Sequence, residues 1–157
     1  MKTKNFTLAF IFNILICGAS LAETIEEKRA KYVLSNMQHD YITCYAFYKI
    51  GAEYIKQSNV EQKIIEGVEK SSDISLKFAH ETGELMGMET EQMSSKVELE
   101  MKVQLDLIDN DFNKASILLE KYAQQCKSVI ENKKQRISLW EEKAKIKFQW
   151  KLKSWKR

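Results

Sequence analysis

The side chains able to do chemistry in this sequence are few and widely spaced. Of its three cysteines, Cys17 lies in an apolar leader, while Cys44 and Cys126 belong to the body of the chain. Two thiols in an exported chain read as one structural disulfide. The loop it closes, about 80 residues, is worth about 4–4.5 kcal/mol by chain-entropy arithmetic. A redox-active pair would need Cys-x-x-Cys spacing, and a metal site would need more ligands than two distant cysteines and two histidines supply. His80 and Glu84 stand one helical turn apart, and His39 neighbours Asp40, but no H-E-x-x-H pattern joins them. They read as surface ion pairs, not as a metal or cofactor site. No G-x-S-x-G turn or phosphate-binding glycine loop is present, and Glu26-Glu27 and Glu141-Glu142 sit in charged, solvated runs. The reading is therefore non-enzymatic, with no cofactor. Were the chain an enzyme acting on an envelope polymer, His80 with Glu84 or Glu53 would be its candidate groups.

The address of the chain is written in residues 1–22. Lys2 and Lys4 precede an apolar stretch from Phe6 to Cys17, and Ser20-Leu21-Ala22 offers small residues at the two positions a signal peptidase reads. This is the pattern of a secretory signal peptide cleaved near Ala22. An uncleaved anchor would need ~20 apolar residues to span a bilayer. The expected location is periplasmic or secreted, and the remaining 135 residues of 157 make one domain's worth of chain.

Helices must position whatever the chain carries. There is no proline, and beyond the leader the only glycines are Gly51, Gly67, Gly83 and Gly87. Good helix formers dominate and no period-two alternation is sustained, so the class is all-α. Met37, Tyr41, Cys44, Tyr48, Ala52 and Ile55 form one helical stripe in a first helix from about Glu23 to Gln57. Ile64, Val68, Ser72, Ser75, Ala79, Gly83 and Met86 form the inner face of a second, from about Val60 to Met86. Met93, Val97, Met101, Leu105 and Ile108 mark a third, from Thr90 to Ile108, followed by the turn Asp109-Asn110-Asp111. Phe112, Ala115, Leu119, Tyr122, Cys126 and Val129 or Ile130 mark a fourth. These predict an antiparallel bundle of four long helices in which the first and fourth are neighbours, as the disulfide requires. The stripe then continues through Ile137, Trp140, Ala144, Phe148, Leu152 and Trp155. It predicts either an extension of the fourth helix or a fifth helix after a bend near Asn132. The domain plan is leader 1–22, disulfide-stapled helical bundle 23–136, and basic amphipathic C-terminal helix 137–157.

Two features stand out on this frame. Ser75, Ala79, Gly83 and Gly87 recur every four residues, a row of small side chains expected to mark close helix packing. Tyr41, Tyr45 and Tyr48 cluster around Cys44 and read as core, with hydroxyls reaching its edge.

The tail departs furthest from an ordinary bundle. Lys143 to Arg157 contains seven basic residues and no acidic one, whereas residues 23–142 carry 16 basic and 22 acidic. Trp140, Lys143, Lys145, Lys147, Phe148, Trp150, Lys151, Leu152, Lys153 and Trp155 together have the composition of a helix that lies on an anionic surface. The competing reading packs the stripe on the bundle, with lysines snorkelling around it. The expected function is a non-enzymatic envelope protein that binds a partner protein or an anionic surface through its C-terminal helix. A periplasmic holdase chaperone is an alternative. A second copy of the chain is a possible partner, since the acidic body could take a basic tail, and nucleic acid is not an expected one.

Overall fold

A computed structural model describes residues 23–154, with side chains as far as Gln149. The predicted leader, and Trp155 to Arg157, lie outside the described residues. The described chain is entirely helical: α1 (Ile25–Lys56), α2 (Gln62–Leu85), α3 (Thr90–Leu107), a 3-10 turn at Phe112–Lys114, α4 (Ser116–Glu131) and α5 (Lys133–Ser154). Among the described residues, no helix is long and apolar enough to cross a membrane.

Each boundary has a local cause. Thr24 opens α1 with a capping box: Glu27 N–H donates to Thr24 Oγ1 at 3.1 Å, and Thr24 N–H donates to Glu27 Oε2 at 2.7 Å. Hydrogen bonding from Thr24, its backbone N–H first, holds the Glu27 carboxyl below the usual carboxylate range. α2 ends in a Schellman motif, with Met88 N–H bonded to Gly83 C=O and Gly87 N–H to Glu84 C=O. α3 ends where Asp109 and Asn110 adopt left-handed φ values of 52° and 57°, which short polar side chains tolerate. Asp111 then caps the 3-10 turn by accepting from Asn113 N–H at 3.0 Å. Asn132, at φ −125° and ψ 44°, breaks the chain between α4 and α5. The apolar stripe beyond Ile130 therefore belongs to a separate fifth helix.

α1 is the axis of the molecule. α2, α3, α4 and α5 all pack on it, α2 most extensively. Met37, Gln38, Asp40, Tyr41, Ile42, Thr43, Cys44, Ala46 and Phe47 are all buried, so the middle of α1 is covered around nearly its whole circumference. The single predicted stripe is accordingly too narrow: a helix surrounded by neighbours hides its polar face as well. Two other core assignments shift by one residue. Ile65 and Leu118 are buried, whereas Ile64 is 51% and Leu119 is 52% exposed.

Cys44 and Cys126 are bonded, join α1 to α4 with Cα atoms 5.2 Å apart, and are fully buried. The small-residue row is close packing at Ser75, Ala79 and Gly83, all buried. A Cβ on Gly83 would lie 2.8 Å from Gln38 Nε2 and 2.9 Å from Met93 Sδ, so this glycine makes room for side chains from α1 and α3. Gly87 does not belong to the packing row. Its φ is +72° and nothing lies within 4 Å of a Cβ placed there. It is the left-handed residue that lets the chain leave α2.

Candidate functional site: the basic face of α5 and its buried anchor

The position of α5 is set by one carboxylate. Asp40 sits in mid-α1, 1% exposed, three residues after Met37 and four before Cys44. That places it on the buried side, where an unpaired charge would be costly. Arg136 answers it with a two-pronged pair, Nε to Oδ2 and Nη2 to Oδ1, both at 2.7 Å. Trp140 Nε1–H donates to Oδ2 at 2.6 Å, and Gln125 Nε2–H donates to Oδ1 at 3.0 Å. The carboxylate thus gathers donors from α4 and α5 and fixes both against α1. The hydrogen bonds to Asp40 raise the Arg136 pKa above its ordinary value, so the guanidinium stays charged.

Aromatic rings extend the contact along α5. Tyr32 of α1 meets Trp140 and Phe148 edge to face, with centroids 6.3 Å and 6.1 Å away. Ala144 and Phe148 are buried, and Ile137 and Trp140 pack against the core. The first four positions of the C-terminal stripe are thus seated on the body, and the indole N–H of Trp140 is committed to Asp40. Apolar side chains expected to meet an external surface are taken up internally at Trp140 and Phe148.

The lysines remain outside. Lys143, Lys145 and Lys147 are exposed. The Lys143 ammonium lies 4.2 Å from the Trp140 ring centre and that of Lys147 lies 4.3 Å from the Tyr32 ring centre. These cation–π contacts steer the two side chains without neutralising them. Among the described residues, no carboxylate forms an ion pair with any of the three. Trp150, Lys151, Leu152 and Lys153 lie where side chains are not described, and Trp155 lies beyond the described residues.

The other sequence candidates do not converge. His39 is exposed while its neighbour Asp40 is buried, so they serve different sides of α1. Glu53 pairs with Lys56 at 3.1 Å, and Lys56 also reaches Glu69 of α2 at 2.8 Å. His80 is half-buried and Glu84 exposed. Among the described residues, no group of three or more His, Cys, Asp or Glu side chains could hold a metal ion.

Two buried polar clusters escaped the sequence reading. One is the Asp40 node. The other is Gln38, whose amide donates to the sulfurs of Met93 at 2.8 Å and Met88 at 3.1 Å and accepts from Lys96 Nζ at 2.8 Å. A signal for both existed: an Asp and a Gln within a run of apolar residues that fills more than one helix face. No protein-family model, curated protein or solved structure matches this chain.

Proposed function

We propose that this is a non-enzymatic envelope protein, exported with cleavage near Ala22, whose α5 presents a fixed basic face to an anionic partner or surface. Four long helices running antiparallel, with α5 laid along the first, make up the scaffold. A buried disulfide suits an oxidising compartment outside the cytosol. The observation that carries the reading is the run of exposed, unneutralised lysines Lys143, Lys145 and Lys147 on a helix whose Trp140, Ala144 and Phe148 are already packed on the body. With Trp140 and Phe148 packed against Tyr32 of α1, attraction over this stretch comes from charge, not from insertion of these rings.

This determines the salt response. A lysine near a charged bilayer contributes about 1 kcal/mol, and the interaction decays over a Debye length of about 10 Å at 0.1 M salt. Vesicle co-sedimentation with anionic and neutral lipids across a salt series tests the proposal. Truncation at residue 136 is a poor comparison, because it removes Trp140 from the Asp40 node. The suitable variant is Lys143→Gln/Lys145→Gln/Lys147→Gln. Loss of three lysines is expected to weaken low-salt binding roughly a hundredfold, and binding should vanish at high salt for both proteins. Binding of wild type that persists at high salt, or equal binding by the triple variant, would refute the charge-driven reading.

A further inference from the structure

α2 and α4 both pack on α1 but touch each other only slightly. Between them lies a cavity of about 300 Å³, floored by Phe47, Tyr48 and Gly51 and walled by Val68, Leu119 and Ala123. Its lining is almost wholly apolar. A buried water needs two to four polar partners, and a dry apolar cavity of about 150 Å³ is enough to hold benzene. The space here is about twice that, at the lower end of the range for ligand pockets.

Three observations give the shape and chemistry of an occupant. Gly51 lines the cavity, and a Cβ placed on it would meet nothing within 4 Å, so the floor is open at this residue. Ile64 stands one turn before Val68 on α2, and Leu119 stands on α4. Both fall on helical stripes that periodicity assigns to the core, yet they are left 51% and 52% exposed. The apolar track therefore runs out of the cavity along its rim, which suits an elongated molecule better than a compact ring. The concave form and the near-absence of polar lining suit a hydrocarbon better than a protein face.

We propose that this cavity binds a single hydrocarbon chain, the acyl chain of a free fatty acid or of a single-chain lipid. The site is separate from the basic face of α5, and neither reading depends on the other.

The test has two arms, one for each source of the chain. Calorimetry with dodecanoate below its micellar concentration examines the free acid. Extraction of lysophosphatidylcholine from neutral vesicles into the supernatant examines the membrane lipid. Uptake of one chain per protein in either arm is expected, and the arm that succeeds names the source. Gly51→Leu, which fills the floor without a backbone clash, should weaken uptake at least tenfold while leaving the melting temperature unchanged or higher. Gly67→Leu, on the open surface of α2, should bind like wild type. Independently of any variant's folding, chemical-shift changes in the wild-type protein should centre on the methyls of Val68, Leu118 and Leu119. No uptake in either arm, undiminished uptake by a folded Gly51→Leu, or shifts centred elsewhere would overturn the proposal.

Discussion

Removing the Asp40 carboxylate leaves the Arg136 guanidinium, 17% exposed, without its counter-charge. Asp40→Ala is therefore expected to cost about 3–5 kcal/mol, the usual penalty for breaking a buried pair from one side. Chemical denaturation of Asp40→Ala, Arg136→Met and the double variant checks this. The double variant should be less destabilised than the sum of the singles, because it leaves no orphaned charge; strict additivity would mean that the two groups do not interact. Tyr41 makes a different prediction. Its hydroxyl is buried without a hydrogen-bond partner, and burial, reinforced by Asp40 and Glu81, pushes its pKa up to about 12. The unfolded phenol ionises near pH 10, so the unfolded state loses this proton first. The stability Tyr41 confers is complete below about pH 10 and is lost as pH rises to about 12. Tyr41→Phe should flatten the alkaline part of the stability-versus-pH curve. At neutral pH it should be close to neutral or mildly stabilising, since it also removes an unpaired polar group. An unchanged alkaline slope would assign that loss to other groups, Tyr48 among them, whose pKa burial also raises.

Among the helices, α2 shows how one residue type serves unlike ends. Gly83→Leu would drive its side chain into Gln38 and Met93 and should cost about 1–3 kcal/mol through overpacking. Gly87→Ala places a Cβ on a left-handed backbone and should cost about 1 kcal/mol with no packing change. Gly67→Ala, in the exposed helix interior, should gain roughly 0.5–1 kcal/mol. Thermal melts of the three variants give the order directly, and a Gly83→Leu protein as stable as wild type would deny the close approach. α5 makes the complementary point. Its charged and apolar residues look alike from either end of the sequence, but one side is locked through Arg136, Trp140 and Phe148 while the lysines between them stay in water.

For the molecule as a whole, the Cys44–Cys126 bond ties the central helix to α4 across 82 positions of sequence. Its loss by Cys44→Ser/Cys126→Ser should cost about 2–5 kcal/mol. Both sulfurs are fully buried, so reduction in native buffer should be slow and should accelerate when denaturant opens the fold. Intact mass with and without reductant, followed over time, checks both statements. Rapid reduction without denaturant would mean that α1 and α4 separate readily.

The sequence by itself determined the helical class, the first four helices and the disulfide partners, because these follow from local rules; that the C-terminal stripe forms a separate fifth helix was settled by the break at Asn132. Helix propensity and the turn at Asp109-Asn110-Asp111 act over a few residues, and two body cysteines leave one pairing. Periodicity found one face of each helix and placed Met37, Tyr41, Cys44, Ala79, Met93 and Cys126 in the core correctly. It failed at Ile64 and Leu119, where the gap between α2 and α4 leaves core-patterned residues exposed. It also failed at Asp40 and Gln38, where a polar residue is buried because its partners come from distant helices. Arg136 meets Asp40 across 96 residues, and no local pattern encodes such a meeting. The same holds for the tail. Its charge was legible in the sequence, but whether Trp140 faced outward or inward depended on a carboxylate waiting in the middle of α1. Only the tertiary structure could decide that, because burial belongs to the packing of five helices together and not to any one of them.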